Sequence, residues 1–187
     1  MAKRVCPVWV GYLLASPLRR LFENPEKIFE PYVREGMKVL DIGCAMGFFS
    51  LPFARMVGSN GKVICVDVQD KMIRSLEKRA RKAELSDRIE TRICRPDSLN
   101  LGDLKEDIDF AVGLSVVHEV QDAAGFFSET YETIRPAGKF LVAEPQGHVS
   151  EKEFDQTVSH AEQNGFEVIE RPRMGRYRVV VMGKKGK

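Results

Sequence analysis

Three aspartates and a run of small residues lie at or just beyond the ends of predicted strands, where a ligand can reach them. Asp41 lies within the apolar run 39–42, and the small residues Gly43, Ala45 and Gly47 follow it at every second position. Small residues at a strand-to-helix turn let a ligand approach the backbone amides. The carboxylate of Asp41 would repel a phosphate and attract an amine or another cation. The turn therefore predicts a binding site for a positively charged ligand.

The other two aspartates indicate what else this ligand carries. Asp67 ends the second predicted strand, where a carboxylate can accept hydrogen bonds from the two hydroxyls of a ribose. Asp97 follows the third predicted strand and can accept a hydrogen bond from an exocyclic amine such as that of adenine. As an alternative, Asp97 and Ser98 would suit the cap of a short helix. Together the acids predict a ligand with a ribose, an adenine and a positive centre but no phosphate.

The elements that must position these residues alternate between short apolar runs and longer amphipathic patterns from Met37 onward, which is typical of a parallel α/β sheet. Strands are predicted at 38–42, 62–68, 88–94, 108–114 and 140–143, and helices at 47–57, 70–83 and 122–134. The turn 135–138 is expected to end the last of these helices because it contains a proline and a glycine. After a further helix, the strands at 167–170 and 177–182 lie too close together for a crossover helix and predict an antiparallel hairpin.

The order of these motifs resembles that of the class I (Rossmann-like) S-adenosylmethionine-dependent methyltransferases. VLDIGCAMG resembles their first motif, D/E-x-G-x-G-x-G, and departs from it at Ala45, where the pattern prefers glycine. ICVDVQDKMI resembles their second-strand acidic motif, and the segments CRPDSL, IDFAVGLSVVHEV and IRPAGKFLVAEP resemble those of the next three strands. The resemblance implies an α/β fold: a seven-stranded, mostly parallel sheet with a C-terminal antiparallel hairpin and helices on both faces.

The same resemblance implies a set of residues that contact the cofactor S-adenosylmethionine. Asp41 would hold its ammonium group, Asp67 its ribose hydroxyls and Asp97 its adenine amine. The full set implied to contact the cofactor is Asp41, Gly43, Ala45, Gly47, Asp67, Val68, Asp97, Ser98 and Leu114.

Methyl transfer from a sulfonium depends mainly on alignment and on the exclusion of water, and a general base helps when the acceptor is a hydroxyl, a carbon acid or a thiol. His118 and Glu119 are candidates for that base. Alternatively, His118 only shapes the pocket wall, and Glu119 only complements the N-terminus of the following helix. Ser115 is expected to line the transfer channel, and Glu144, with His148, to orient the acceptor.

The acceptor is expected to be a small, partly apolar molecule. The [N/D/S]-P-P-[Y/F] and Pro-Cys motifs of amine and cytosine methylation are absent after the fourth strand, and no basic domain is appended. The segment 1–36 contains Trp9, Tyr12 and Phe22, which would contact the acceptor if the segment is a lid. Alternatively, it packs on the sheet or on a second subunit of a homodimer.

Two other functions remain open at this point. The basic hairpin 171–178 would be the contact surface of an RNA or protein methyltransferase. The chain could also be a non-catalytic, cofactor-binding or scaffold subunit of a partner enzyme.

Length and composition favour one domain, 1–187, with its α/β core at 37–187. Charges nearly balance, with 29 basic and 27 acidic residues, so there is no strong signal for nucleic-acid binding. The four cysteines have no metal-ligand spacing, so we expect buried reduced thiols and no metal. No signal peptide or transmembrane segment is predicted, which favours a cytoplasmic enzyme.

Overall fold

The computed structural model describes residues 23–184, together with Pro7, Trp9, Gly11 and Arg19. Its strands are β1 (Lys38–Ile42), β2 (Lys62–Asp67), β3 (Ile89–Ile93), β4 (Ile108–Leu114), β5 (Ile134–Pro145), β6 (Phe166–Glu170) and β7 (Tyr177–Lys184). Its α-helices are α1 (Pro25–Phe29), α2 (Ser50–Met56), α3 (Asp70–Lys82), α4 (Ala123–Thr133) and α5 (Glu151–Gln163). The predicted fold class is confirmed: the seven-stranded sheet is mostly parallel, ends in an antiparallel hairpin and has helices around it.

The described residues fall into two compact units, one ending at Cys94 and the other beginning at Arg95. In the first unit, β2 lies between β1 and β3 and pairs with both in parallel. Residues 63–67 of β2 are all buried, which explains why its sequence is continuously apolar rather than alternating. Helix α3 buries a stripe of residues at helical spacing, namely Met72, Ile73, Leu76 and Ala80.

In the second unit the strand order is β4-β5-β7-β6. Strands β4 and β5 are parallel, whereas β7 pairs antiparallel with both β5 and β6, which confirms the predicted hairpin. The core of this unit is rich in aromatic rings that meet edge-on or tilted, including Phe126, Phe127, Phe140 and Phe166.

Three of the expectations for local structure are wrong. Helix α2 begins at Ser50 rather than at residue 47, because the positive φ angles of Ala45 and Gly47 keep the preceding residues in turns. The turn 135–138 belongs to β5, where the pairing with β4 shifts register and the extra residues bulge out of the ladder. No helix begins between Ser98 and the start of β4, so Asp97 and Ser98 do not cap a short helix there.

Cys44, Cys65 and Cys94 are buried thiols, as expected, while Cys6 lies outside the described residues. None of the helices described here is long and apolar enough to span a bilayer. Within residues 23–184 and the four described residues before them, no group of three His, Cys, Asp or Glu side chains is arranged to hold a metal ion.

Candidate functional site

In the first unit, the loop after β1 is organised around the buried side chain of Asp41. Asp41 is only 3% exposed, and its Oδ2 accepts a hydrogen bond of 2.5 Å from the hydroxyl of Ser50. Burial raises the pKa of Asp41 to about 7; the Ser50 hydrogen bond opposes this rise, and the charge of Asp67 adds to it. A proton or a cationic group beside Asp41 would therefore be favoured near neutral pH.

Asp67, at the end of β2, ties this loop to the neighbouring strand. Its Oδ2 accepts from the backbone N–H of Ala45 at 2.9 Å, and its Oδ1 accepts from that of Gln69 at 2.8 Å. Burial raises the pKa of Asp67, while hydrogen bonds from the backbone of Gln69, Ala45 and Val68 oppose that rise. A carboxylate has about four acceptor positions, so Asp67 can receive further donors beside these backbone groups.

The backbone of the loop requires small residues at two positions. Gly47 has a φ of +78°, and a Cβ at this position would overlap the Cδ1 atom of Leu76 on α3. Ala45 has a φ of +46°, which is the left-handed region that a side chain with Cβ adopts only at a cost. The loop is also held by Arg79 of α3, whose guanidinium donates to the carbonyl of Met46. Arg79 could not be predicted from the sequence, because nothing in the pattern of α3 distinguishes it from the other basic residues of that helix.

Residues before β1 reach the far end of the same loop. The guanidinium carbon of Arg19 lies 4.2 Å from the ring centroid of Phe48, and Arg19 also forms an ion pair of 2.8 Å with Glu23. Trp9 is 65% exposed. The predicted contact residues Tyr12 and Phe22 lie outside the described residues.

In the second unit, the structure brings together His118 and Glu144, which are 26 residues apart in the chain. His118 follows β4 and Glu144 lies near the end of β5. His118 Nδ1 lies 2.5 Å from Glu144 Oε2. The other oxygen, Oε1, accepts from the backbone N–H groups of Val117 at 2.8 Å and His118 at 3.3 Å. Glu144 is fully buried. The carboxylate thus orients the ring and favours the tautomer with the proton on Nδ1, so that Nε2 is the basic nitrogen.

Two further predicted residues surround this pair. Glu119 Oε1 lies 3.9 Å from His118 Nε2, and the ring of His148 stands nearly perpendicular to that of His118 with 6.2 Å between centroids. Ser115 has a φ of +55° and donates its backbone N–H to the carbonyl of Ala143 at 2.8 Å. The pairing of His118 with Glu144 was not predicted. The one signal for it was that both residues stand at the ends of strands that could be neighbours.

The remaining predicted cofactor residues are more exposed or make other contacts. The side chain of Asp97 is 79% exposed and forms an ion pair of 3.3 Å with Arg95. Ser98 donates its hydroxyl to Glu129 Oε2 at 3.2 Å. Leu114 ends β4 and is half-buried, and Val68 is 36% exposed just beyond β2. Their roles toward adenine and the transfer channel stay predictions.

The family model and the two relatives compared with this chain are all methyltransferases. Residues 33–178 match the family described as "Methyltransferase domain". The chain is 28% identical over 148 residues to a ubiquinone/menaquinone biosynthesis C-methyltransferase of Marinomonas sp., which covers 77% of this chain and 57% of that protein. It is 31% identical over 137 residues to a ubiquinone biosynthesis O-methyltransferase of Rhizobium etli, which covers 73% of this chain and 51% of the relative. The chain thus spans about half the length of the curated relatives that it matches.

A solved structure of similar fold comes from Aquifex aeolicus and is described as a SAM dependent methyltransferase. The two chains superpose with a TM-score of 0.84 at 23% identity, over 96% of this chain and 98% of the other. At this identity, the match establishes the fold.

Proposed function

Because this chain belongs to the class I S-adenosylmethionine-dependent methyltransferases, we propose that it methylates a small, partly apolar acceptor through an ionisable O–H or C–H group. The choice of an ionisable acceptor group rests on one observation, the 2.5 Å contact between His118 Nδ1 and Glu144 Oε2. This contact leaves Nε2 of His118 as a base. The names of the two relatives are compatible with methyl transfer to carbon or to oxygen, since one is a C-methyltransferase and the other an O-methyltransferase.

The residues of the loop after β1 fit S-adenosylmethionine chemically. The buried carboxyl of Asp41, with its raised pKa, suits the ammonium group of the cofactor. The packing at Gly47 leaves no space for a Cβ and keeps the backbone bare, while Asp67 retains acceptor positions for ribose hydroxyls. When bound, the cofactor supplies an electrophilic methyl group on a sulfonium. The loop residues bind and orient it.

His118 acts in this proposal as the general base of the reaction. Its Nε2 would accept the proton of the acceptor O–H or C–H group, and the electron pair of that bond would attack the methyl group, whose bond to the sulfonium breaks and leaves a neutral thioether. Glu144 is a positioning residue, because it holds the Nδ1 proton and its charge stabilises the imidazolium that forms. Glu119, 3.9 Å from Nε2, adds a second negative charge beside that imidazolium.

Further parts of the proposal rest on the sequence analysis. Asp97, Ser98, Val68 and Leu114 complete the cofactor contacts, and Ser115 lines the acceptor side. The segment 1–36 closes over the acceptor as a lid, a role supported by the packing of Arg19 on Phe48 next to the cofactor loop. We also propose that the enzyme works in the cytoplasm as a single domain and that it forms a homodimer.

Calorimetric titration with S-adenosylmethionine and S-adenosylhomocysteine tests the cofactor assignment. Both should bind the wild-type chain, and Asp67→Asn should weaken both, because the amide accepts fewer hydrogen bonds than the carboxylate. Asp70→Asn is the matched control, since Asp70 is half-exposed at the start of α3 and pairs with Arg74. Absence of binding by the wild-type chain would refute the proposed function.

Transfer of a labelled methyl group to a panel of phenols, hydroquinones and their carboxylated analogues tests the chemistry. We expect His118→Gln to lower kcat by about 10²–10⁴-fold, the usual contribution of a general base, with little change in cofactor affinity. Glu144→Gln should lower kcat less and shift the pH–rate profile, because it removes the negative charge next to Nδ1 but leaves Nε2 of His118 as a base. A His118→Gln variant with wild-type kcat would exclude the base role.

A further inference from the structure

Arg178 lies on the strand next to that of Glu144, the acid that holds His118. In the antiparallel pairing of β5 with β7, Arg178 is directly opposite Glu144. Residues directly opposite each other in such a pair point to the same face of the sheet, with Cβ atoms about 4.5–5.5 Å apart. The long side chain of Arg178 therefore lies on the face where Glu144 holds the imidazole.

One nitrogen of the Arg178 guanidinium has no hydrogen-bond acceptor among the described residues. Arg178 is partly buried, and this nitrogen, Nη1, is itself a buried donor. Glu144, the acid directly opposite, has both oxygens engaged by His118 and the backbone of residues 117–118. A buried donor of a charged group that makes no hydrogen bond costs free energy, and natural structures keep few of them.

The position of Arg178 agrees with a ligand-binding role. Glu144 is near the carboxyl end of β5, and Arg178 is near the start of β7, so both stand at the edge of the sheet where α/β folds bind ligands. The segment that follows β5 is fixed to β7, because the backbone N–H of Gln146 donates to the carbonyl of Arg176 and its side-chain amide donates to that of Tyr177. These hydrogen bonds hold the backbone just before Arg178 against the end of β5.

We infer that Arg178 binds an anionic group of the methyl acceptor, a carboxylate or a phosphate, beside the His118–Glu144 pair. A planar guanidinium presents donors in a fork that matches these anions, and a small acid is the ligand that satisfies Nη1 without disturbing Glu144. This inference rests on the proposed function only in naming the ligand as the acceptor. Anion binding itself can be measured without methyl transfer.

The test uses benzoate, neutral benzamide and inorganic phosphate as probes on the full chain. Binding is followed by thermal shift and by the ¹⁵N-edited NMR signals of the arginine side chains. We expect saturable binding of benzoate or phosphate and none of benzamide, and the tighter of the two anions identifies the group that the site prefers. Arg178→Gln should weaken that binding at least about tenfold, as expected for the loss of a charge-assisted hydrogen bond. Arg173→Gln, an exposed arginine of the same hairpin, should leave it unchanged.

A second variant separates a binding role from a structural one. Arg178→Met removes an unpaired charge and keeps an apolar stem, so we expect a melting temperature equal to or above that of the wild type together with the loss of anion binding. A marked fall in melting temperature would mean that the guanidinium supports the fold, and would overturn the inference.

The anion titrations can also overturn it directly. Equal binding of the anion by the wild type and Arg178→Gln, or no anion binding by the wild type, would each do so. Failure of the proposed function has a different signature, which is the absence of S-adenosylmethionine binding in the calorimetric titration.

Discussion

Asp41 is a buried acid whose protonation depends on the fold. Burial raises its pKa to about 7, whereas an aspartate in an unfolded chain has a pKa of about 3.9. Between these two values the folded chain keeps a proton that the unfolded chain has lost. The contribution of Asp41 to the free energy of unfolding is therefore largest below pH 4, falls as the pH rises to about 7, and is constant above that.

Asp41→Asn should remove this dependence, because an amide does not titrate and its oxygen can still accept from Ser50. Three pKa units correspond to about 4 kcal/mol. We expect the stability of the variant relative to the wild type to rise by up to that amount between pH 4 and pH 8 in urea denaturation. Asp87→Asn, on an exposed side chain, should show no such trend. A constant difference between Asp41→Asn and the wild type across this range would contradict the assignment.

Ala45 adopts a backbone conformation better suited to glycine. Its φ of +46° costs alanine about 1–2 kcal/mol, and the greater freedom of glycine in the unfolded chain offsets about 0.4–1 kcal/mol of the gain. Ala45→Gly should therefore raise the free energy of unfolding by roughly 0.5 kcal/mol. Ala54→Gly, in the buried interior of α2, is the control and should lower it by at least about 1 kcal/mol.

The same variant tests whether the methyl group of Ala45 restricts the cofactor. Tighter binding of S-adenosylhomocysteine by Ala45→Gly would show that the methyl group limits the space for the cofactor. An unchanged affinity would show that alanine in place of the family's glycine has no effect on cofactor binding. A loss of stability in Ala45→Gly would contradict the strain argument.

At the level of single elements, α5 begins with a complete capping box. The Ser150 hydroxyl accepts from the backbone N–H of Glu153, whose carboxylate accepts in return from the backbone N–H of Ser150. Ser150→Ala should lower the free energy of unfolding by about 1 kcal/mol in chemical denaturation. Ser159→Ala, on an exposed position of the same helix, should change it by less than about 0.5 kcal/mol. Equal effects of the two substitutions would argue against the cap.

Strand β5 contains a bulge whose packing depends on Gly138. A Cβ at this position would lie 2.7 Å from Ile134 Cγ2 and 2.9 Å from the carbonyl oxygen of Ile108 on β4. Gly138→Ala should therefore lower the free energy of unfolding by about 1–3 kcal/mol, as overpacking usually does. Gly102→Ala is the control, because a Cβ there meets nothing within 4 Å. A Gly138→Ala variant as stable as Gly102→Ala would show that the bulge can open without cost.

At the scale of the whole molecule, Trp9 reports on the proposed lid because it is the only tryptophan of the chain. Its exposed side chain should give the long-wavelength emission of a solvated indole. If the segment 1–36 closes, S-adenosylhomocysteine should shift this emission to shorter wavelength, and Asp67→Asn should need a higher ligand concentration for the same shift. An emission that stays unchanged at saturating ligand would favour the alternative, a segment that only packs.

The fold class could be predicted because its signals are local and repeat along the chain. Each strand is a short apolar run, each helix shows its own periodicity, and the short loop 171–176 allows only a hairpin. The bulge in β5 could not be predicted in the same way. The proline and glycine near residue 138 read as a helix stop, and only the pairing with β4 makes them part of a strand.

The sequence by itself determined the chemistry of the loop after β1, because acids and small residues at consecutive strand ends carry that information within a few residues. The tertiary structure decided three other features: the raised pKa of Asp41, the contact of Glu144 with His118, and the position of Arg178 opposite Glu144. Burial and strand register create these features, and both join residues that are distant in the chain. No local pattern encodes them.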